Sequence, residues 1–189
     1  MAQTSSTISG QKTFKSAITI GATCTFTSAT KKITASGTSL SDLSVRDLIT
    51  VSGSASNNST FTISEVDTNG TFVIVEEDVT SETVSADTVL TYVGFVTAKV
   101  KGDGYYSQTD GLHTVAYHVS TSCTGSLKMQ GSLATTPTED DFFDIDGTTF
   151  TTDQSTTINS VNFTGNFVWV RAKLTANTAG SVTKILFNN

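Results

Sequence analysis

Charge is what this sequence has least of: Asp, Glu, Lys and Arg fill only 15% of its 189 positions, against about a quarter in an average domain. The balance is acidic, with 11 basic and 17 acidic side chains and a formal net charge of -6. That excludes sequence-independent nucleic-acid binding as an expectation, because neutralising phosphates takes a basic face. The nearest approaches to one are Lys31-Lys32 and the alternating Lys99 and Lys101. One proline and so low a charge density argue equally against a disordered tail. No apolar run approaches the ~18 residues of a membrane span. The opening Met-Ala-Gln-Thr-Ser-Ser has neither the basic nor the apolar region of a secretory signal. Synthesis in a cytoplasm, with no membrane insertion, is the expectation.

Cysteine and histidine are nearly as scarce. Cys24 alternates with Phe26 in a strand-like run and Cys123 lies in the other half of the chain, so each reads as a small buried hydrophobe, with a disulfide as the alternative. His113 and His118 are five apart, which in a strand sends them to opposite faces, so they cannot converge on one metal. His113 shares the face of Val115 and Tyr117 and reads as a half-buried, hydrogen-bonded residue. No Gly-x-Ser-x-Gly elbow occurs, and Gly102-x-Gly104 is followed by Ser107 where a phosphate-binding loop needs glycine. The expectation is a protein with no enzymatic activity, no cofactor and no metal.

What is abundant is Ser and Thr, roughly a third of all positions. Thr is β-branched and suits a pleated surface, while Ser competes with a helix for its own backbone hydrogen bonds. Period-two apolar runs recur between Gly, Asn, Asp and Ser, and they predict an all-β protein. In the first half the strands fall at Ala17–Ile20, Thr23–Thr27, Lys32–Ala35, Leu48–Ser52, Thr60–Val66, Thr71–Glu76 and Thr88–Tyr92. Leu40–Arg46 is expected to make one short helical turn. Asn57-Asn58 and Asn69-Gly70 suit positive φ, the second joining two strands as a hairpin. In the second half the strands fall at Thr114–Val119, Ser126–Gly131, Phe167–Leu174 and Ser181–Phe187. Leu127, Met129 and Leu133 share one strand face, and the last two strands are expected to pair through Ala176–Gly180. Three parts result: an N-terminal arm (1–16), a small barrel-like or sandwich β domain (17–93) and a jelly-roll-like β-sandwich (94–189), both domains antiparallel. The arm is too poor in apolar surface to order itself, so it is expected to order only on another molecule.

Two loops are candidate sites. Tyr105 and Tyr106, on the glycine-rich loop Lys101–Gly111, are candidate contacts for a partner or a glycan, because Tyr gives large contact area at low entropy cost. The alternative is that one caps the core while the other is exposed. Trp169 reads as a core residue that could add a stacking surface. The acidic segment Glu139–Asp153 places Asp144, Asp146, Gly147 and Asp153 at positions three, five, six and twelve of a calcium loop, but Phe142 stands at the first ligand position. A solvated loop is the preferred reading, and a glycosidase using Asp144 the least favoured.

The run Ile33-Thr34-Ala35-Ser36, Asp47–Ser54, Asn57–Ile63 and Phe72–Val75 resembles a small β domain of accessory and tail-associated proteins of tailed bacteriophages. The second half resembles a module of virion structural proteins of marine and cyanobacterial phages, through Asp103-Gly104-Tyr105-Tyr106, Asp110–Val115, Gln130–Thr135 and Phe163–Ala172. The resemblance implies a non-enzymatic virion component, on capsid, neck, tail or fibre, made in the host cytoplasm. Its implied partners are other virion proteins, such as major capsid or neck and tail proteins. Homo-oligomerisation, as a trimer or by docking on a lattice, fits the lean core. A tail-fibre or receptor-binding module that recognises host surface glycan is the alternative.

Overall fold

The computed structural model describes residues 5–84, 88–106 and 111–188. Its regular elements are strands, punctuated by 3-10 turns at Ser28–Thr30, Asp103–Tyr106 and Glu139–Asp141. The chain begins with β1 (Ser5–Ser9) and β2 (Lys12–Thr13). It then lays down β3 (Ile18–Ile20), β4 (Cys24–Thr27), β5 (Lys32–Ala35), β6 (Asp47–Ser52), β7 (Thr60–Val66), β8 (Phe72–Val75), β9 (Glu82–Val84) and β10 (Thr88–Val96). After these come β11 (Val100–Lys101), β12 (Leu112–Val119), β13 (Ser126–Ser132), β14 (Phe143–Asp144), β15 (Phe150–Thr151), β16 (Ile158–Thr164), β17 (Trp169–Thr175) and β18 (Ser181–Asn188). The protein is all-β and antiparallel, and it divides into two compact units: a continuous one, Lys15–Phe95, and a discontinuous one, Met1–Phe14 with Val96–Asn189.

In the continuous unit the strands run β3-β10-β6-β7-β8-β5-β4-β9. The sheet bends round one core without closing into a barrel. Alternation builds that core: Ile33 and Ala35, Val73 and Val75, and Cys24 and Phe26 are buried while their neighbours are half-exposed. Ile20, Ile49, Ile63 and Leu90 complete it. The β7–β8 hairpin turns at Asn69-Gly70 as expected, with Gly70 at φ 67 and its N–H donating to Asp67 O at 2.8 Å. A Cβ there would stand 2.8 Å from the Ser41 backbone nitrogen. Asn57-Asn58 departs from expectation, because neither residue has positive φ. Asn57 is instead a buried clamp, accepting from Thr80 N at 2.8 Å and donating to Thr80 O at 3.0 Å and to Glu82 at 2.9 Å. Leu40–Arg46 forms successive turns, not helix: Leu43 N–H bonds Leu40 O, and Asp47 N–H bonds Ser44 O.

The discontinuous unit is a sandwich. One sheet runs β1-β18-β12-β16, with β2 also on β18. The other centres on β17, which lies between β13 and β11, with β14 and β15 on the outer side of β13. Between them Tyr117 stacks on Phe150 at 6.2 Å and donates its hydroxyl to Thr148 O. His113 sits among Phe163, Phe167 and Phe187, with ring centroids 5.1 to 6.0 Å away.

Three expectations are corrected here. From Ser5 onward the arm is part of this chain's own sheet: Ser5 faces Asn188, Ser6 faces Phe187 and Lys12 faces Val182. A ladder of backbone hydrogen bonds orders it, so little apolar surface is needed, and Ile8 supplies a buried anchor. The segments Phe167–Leu174 and Ser181–Phe187 do not form a hairpin. They lie in different sheets, β17 pairing with β13 and β18 with β12, and the link between them is held by Asn177, which donates to both Thr124 O and Ala179 O at 2.8 Å. Leu133 does not share the buried face of Leu127 and Met129; it lies beyond the end of β13 and is 64% exposed.

Candidate functional site

The site grows from Gly102 and Gly104. Gly102 N–H donates to Val168 O and Gly104 N–H to Phe167 O, at 3.0 and 2.9 Å. A Cβ on Gly102 would lie 2.5 Å from Phe167 O, and one on Gly104 2.6 Å from Asn166 O. Only glycine allows this approach, which presses the turn Asp103–Tyr106 against the start of β17 and leaves the next two side chains facing outward. Both tyrosines are on the surface, Tyr105 44% and Tyr106 54% exposed. Neither caps the core.

Trp169, at the start of β17, is half-buried and not the core residue expected. Its indole N–H donates to Thr135 O at 3.1 Å, which fixes the ring. Tyr105 meets its neighbours edge-on, with centroids 5.3 Å from Tyr106 and 5.4 Å from Trp169. Lys99 and Lys101 flank Val100 of β11, and alternation along a strand puts both on one face. Lys101 Nζ lies 3.9 Å from the Tyr105 centroid and 5.7 Å from that of Tyr106. Lys99 Nζ lies 5.3 Å from the Trp169 ring and donates to Pro137 O at 3.3 Å. A hydrogen bond with Tyr105, the largest influence, holds the Lys101 ammonium above the usual lysine range, and both phenols add to it. Beneath the cluster is a cleft of about 390 Å³, walled by the two lysines, Val100, Tyr106 and Trp169, with Ser6 of β1 and buried Phe187 of β18 completing it. The lysines were visible in the sequence as an alternating pair. Ser6 and Phe187 carried no sequence signal, since β1 and β18 pair across almost the whole chain.

The other candidates resolve into structure. Glu139 clamps Arg171 through two hydrogen bonds of 2.6 and 2.8 Å, Arg171 donates to Gln130 at 2.9 Å, and the Phe142 ring lies 3.8 Å from the guanidinium carbon. Thr138 and Asp141 form a reciprocal cap. Burial raises the Asp144 pKa, but hydrogen bonds from Lys128 and Gln130 outweigh it and leave that pKa below the usual range. Asp153 accepts from the backbone N–H groups of Ser155 and Thr156 at 2.9 and 2.7 Å, and Asp146 is exposed. Among the described residues no group of three or more His, Cys, Asp or Glu is placed to hold a metal ion. His113 is fully buried, not half-buried, with Nε2 3.0 Å from Gly165 O. On the opposite face, the His118 pKa is lowered by burial and by Lys184. Cys24 and Cys123 are free and buried, and burial, against a hydrogen bond with Thr88, pushes the Cys24 thiol up to about 11. Such a thiol is a poor nucleophile.

No family model and no curated protein matches the chain. Among solved structures it is similar to the K1 cleaved adhesin domain of Lys-gingipain from Porphyromonas gingivalis W83, at 9% identity over 97% of each chain with a TM-score of 0.35. Among the described residues no helix is long and apolar enough to cross a membrane.

Proposed function

We propose that this protein is a non-enzymatic structural subunit of a tailed-phage particle, acting through the surfaces and sheet edges it presents to other virion proteins and to further copies of itself. One observation carries the assembly part of this reading. Strand β16 is the outermost of its sheet, pairing with β12 alone among the described residues. Its sequence, Ile-Asn-Ser-Val-Asn-Phe-Thr, contains no charge and no proline. Monomeric β proteins protect such edges with lysine, proline or a bulge, since an open ladder recruits further strands. Exposed Ile158 and Leu112 add apolar area at opposite ends of the β12–β16 pair. The resemblance of Gln130–Thr135 and Phe163–Ala172 to virion modules supports the phage assignment.

The test places a charge on that edge. Ser160, exposed near the middle of β16, is changed to Lys, and wild type and variant are compared by sedimentation velocity and by immunogold labelling of purified particles. The expected result is assembly and particle label in the wild type, with both lost in Ser160→Lys at unchanged melting temperature. Wild-type protein that stays monomeric and absent from particles overturns the proposal. A second reading, as a glycan-binding module of a fibre, draws on the exposed Tyr105 and Tyr106 and the half-buried Trp169 beside them.

A further inference from the structure

We propose that the cleft between β11, Trp169 and the N-terminal strand binds an acidic polysaccharide, its uronic-acid carboxylates on Lys99 and Lys101 and its sugar rings on Tyr106 and Trp169. This does not depend on the particle role above; it rests on the second, glycan-binding reading and names the class of sugar that reading leaves open.

The first argument is a local inversion of charge. The chain carries a net charge of -6, yet among the described residues the charged groups of the cleft wall are both lysines. Among the described residues neither has a carboxylate within ion-pair distance. Lys15, Lys31 and Lys128, by contrast, each pair with an aspartate. Two cations on one strand face, neither held in an ion pair among the described residues, repel one another, and an incoming anion relieves that repulsion.

The second argument is preorganisation. Both ammoniums rest against aromatic rings, and Lys99 is further held by Pro137 O, so the charges are placed before a ligand arrives. The third is shape. A volume of about 390 Å³ lies within the usual small-ligand range of about 300–1,000 Å³. Rigid aromatic faces suit a pyranose, whose C–H face stacks on a ring while its carboxylate and hydroxyls stay at the rim. A peptide would instead need a row of backbone donors and acceptors, and the cleft offers ammoniums, rings and the Ser6 hydroxyl. A nucleic acid needs a longer basic track than two lysines.

Trp169 is the chain's single tryptophan and stands in the wall of the cleft, so its fluorescence reads occupancy directly. The full chain is titrated with hexagalacturonate, with neutral maltohexaose and with hexaglutamate. A saturable change is expected with hexagalacturonate alone, weakening as salt is raised. Replacing both lysines, Lys99→Gln with Lys101→Gln, is expected to weaken binding about fivefold or more, given the modest strength of exposed charge pairs. The Arg double replacement retains binding. Circular dichroism melts confirm that the variants fold. No saturable change, an equal response to maltohexaose, or an equal response to hexaglutamate overturns the proposal, the last by transferring the site to acidic peptides. Because the readout uses purified protein, its failure leaves the particle reading standing, and loss of particle label leaves this one standing.

Discussion

Asp153 shows how a single side chain can fit two patterns at once. Its spacing from Asp144 and Asp146 matches a calcium loop, but the same residue type at a turn caps the backbone two and three residues on. It accepts from Ser155 and Thr156, and those bonds, the backbone bond from Thr156 foremost, hold its pKa well below the usual carboxylate range. A carboxyl whose folded pKa is depressed contributes stability above its unfolded value, about 3.9, and loses it as pH falls through the folded pKa. Asp153→Ala is therefore expected to melt below wild type at pH 7, with the gap closing as the pH falls below about 4. Thermal melts across that range check it; a gap independent of pH would remove the capping account. Glycine was legible in the opposite sense. Gly102 and Gly104 drew attention through a phosphate motif they do not complete, and the structure uses them for close approach to Asn166 and Phe167.

Strands with one wet face were readable because alternation reports burial directly. In β12, Val115, Tyr117 and Val119 are buried while Thr114, Ala116 and His118 are half-exposed, as the period-two pattern requires. Pairing was not readable where local turn chemistry and tertiary choice disagree. Ala176–Gly180 looks like a hairpin connection, with Ala176 at φ 52 and Gly180 at φ 72. Yet a Cβ on Gly180 would lie 2.4 Å from the Cys123 backbone nitrogen, so its glycine serves a contact with the Ser120–Thr124 turn. β1 was unreadable for another reason: a polar strand held by its ladder leaves almost no trace in hydrophobicity. Its one buried apolar side chain is Ile8, 9% exposed. Ile8→Asp is expected to release β1 from β18, lower the melting temperature and leave β18 as the exposed sheet edge along that stretch, so that Ser6 leaves the cleft. Hydrogen exchange at Leu186 and Phe187, which face Thr7 and Ser6, checks this, and unchanged protection there would refute it.

The order of the two units along the chain has a kinetic consequence. The continuous unit, Lys15–Phe95, stands between the first two strands of the discontinuous unit and the rest of it. Its core cluster draws only on its own residues, from Ile20 to Leu90, so its contacts close over modest sequence separations. The discontinuous unit must bring Ser5 to Asn188, the longest loop closure among the described residues, and non-local pairings of this kind are slow to form. Refolding from denaturant is therefore expected in two phases. Amides of β5 and β7 in the continuous unit gain exchange protection first, and those of β18 gain it later. The single tryptophan lies in the discontinuous unit, so the recovery of native Trp169 fluorescence should track the slower phase. Removing residues 1–14 should shorten that phase and leave the faster one untouched, because the truncated chain no longer waits for β1 and β2. Pulse-labelled exchange alongside stopped-flow fluorescence tests the scheme. Protection appearing in β5 and β18 at the same rate would show that the continuous unit does not fold ahead of its neighbour.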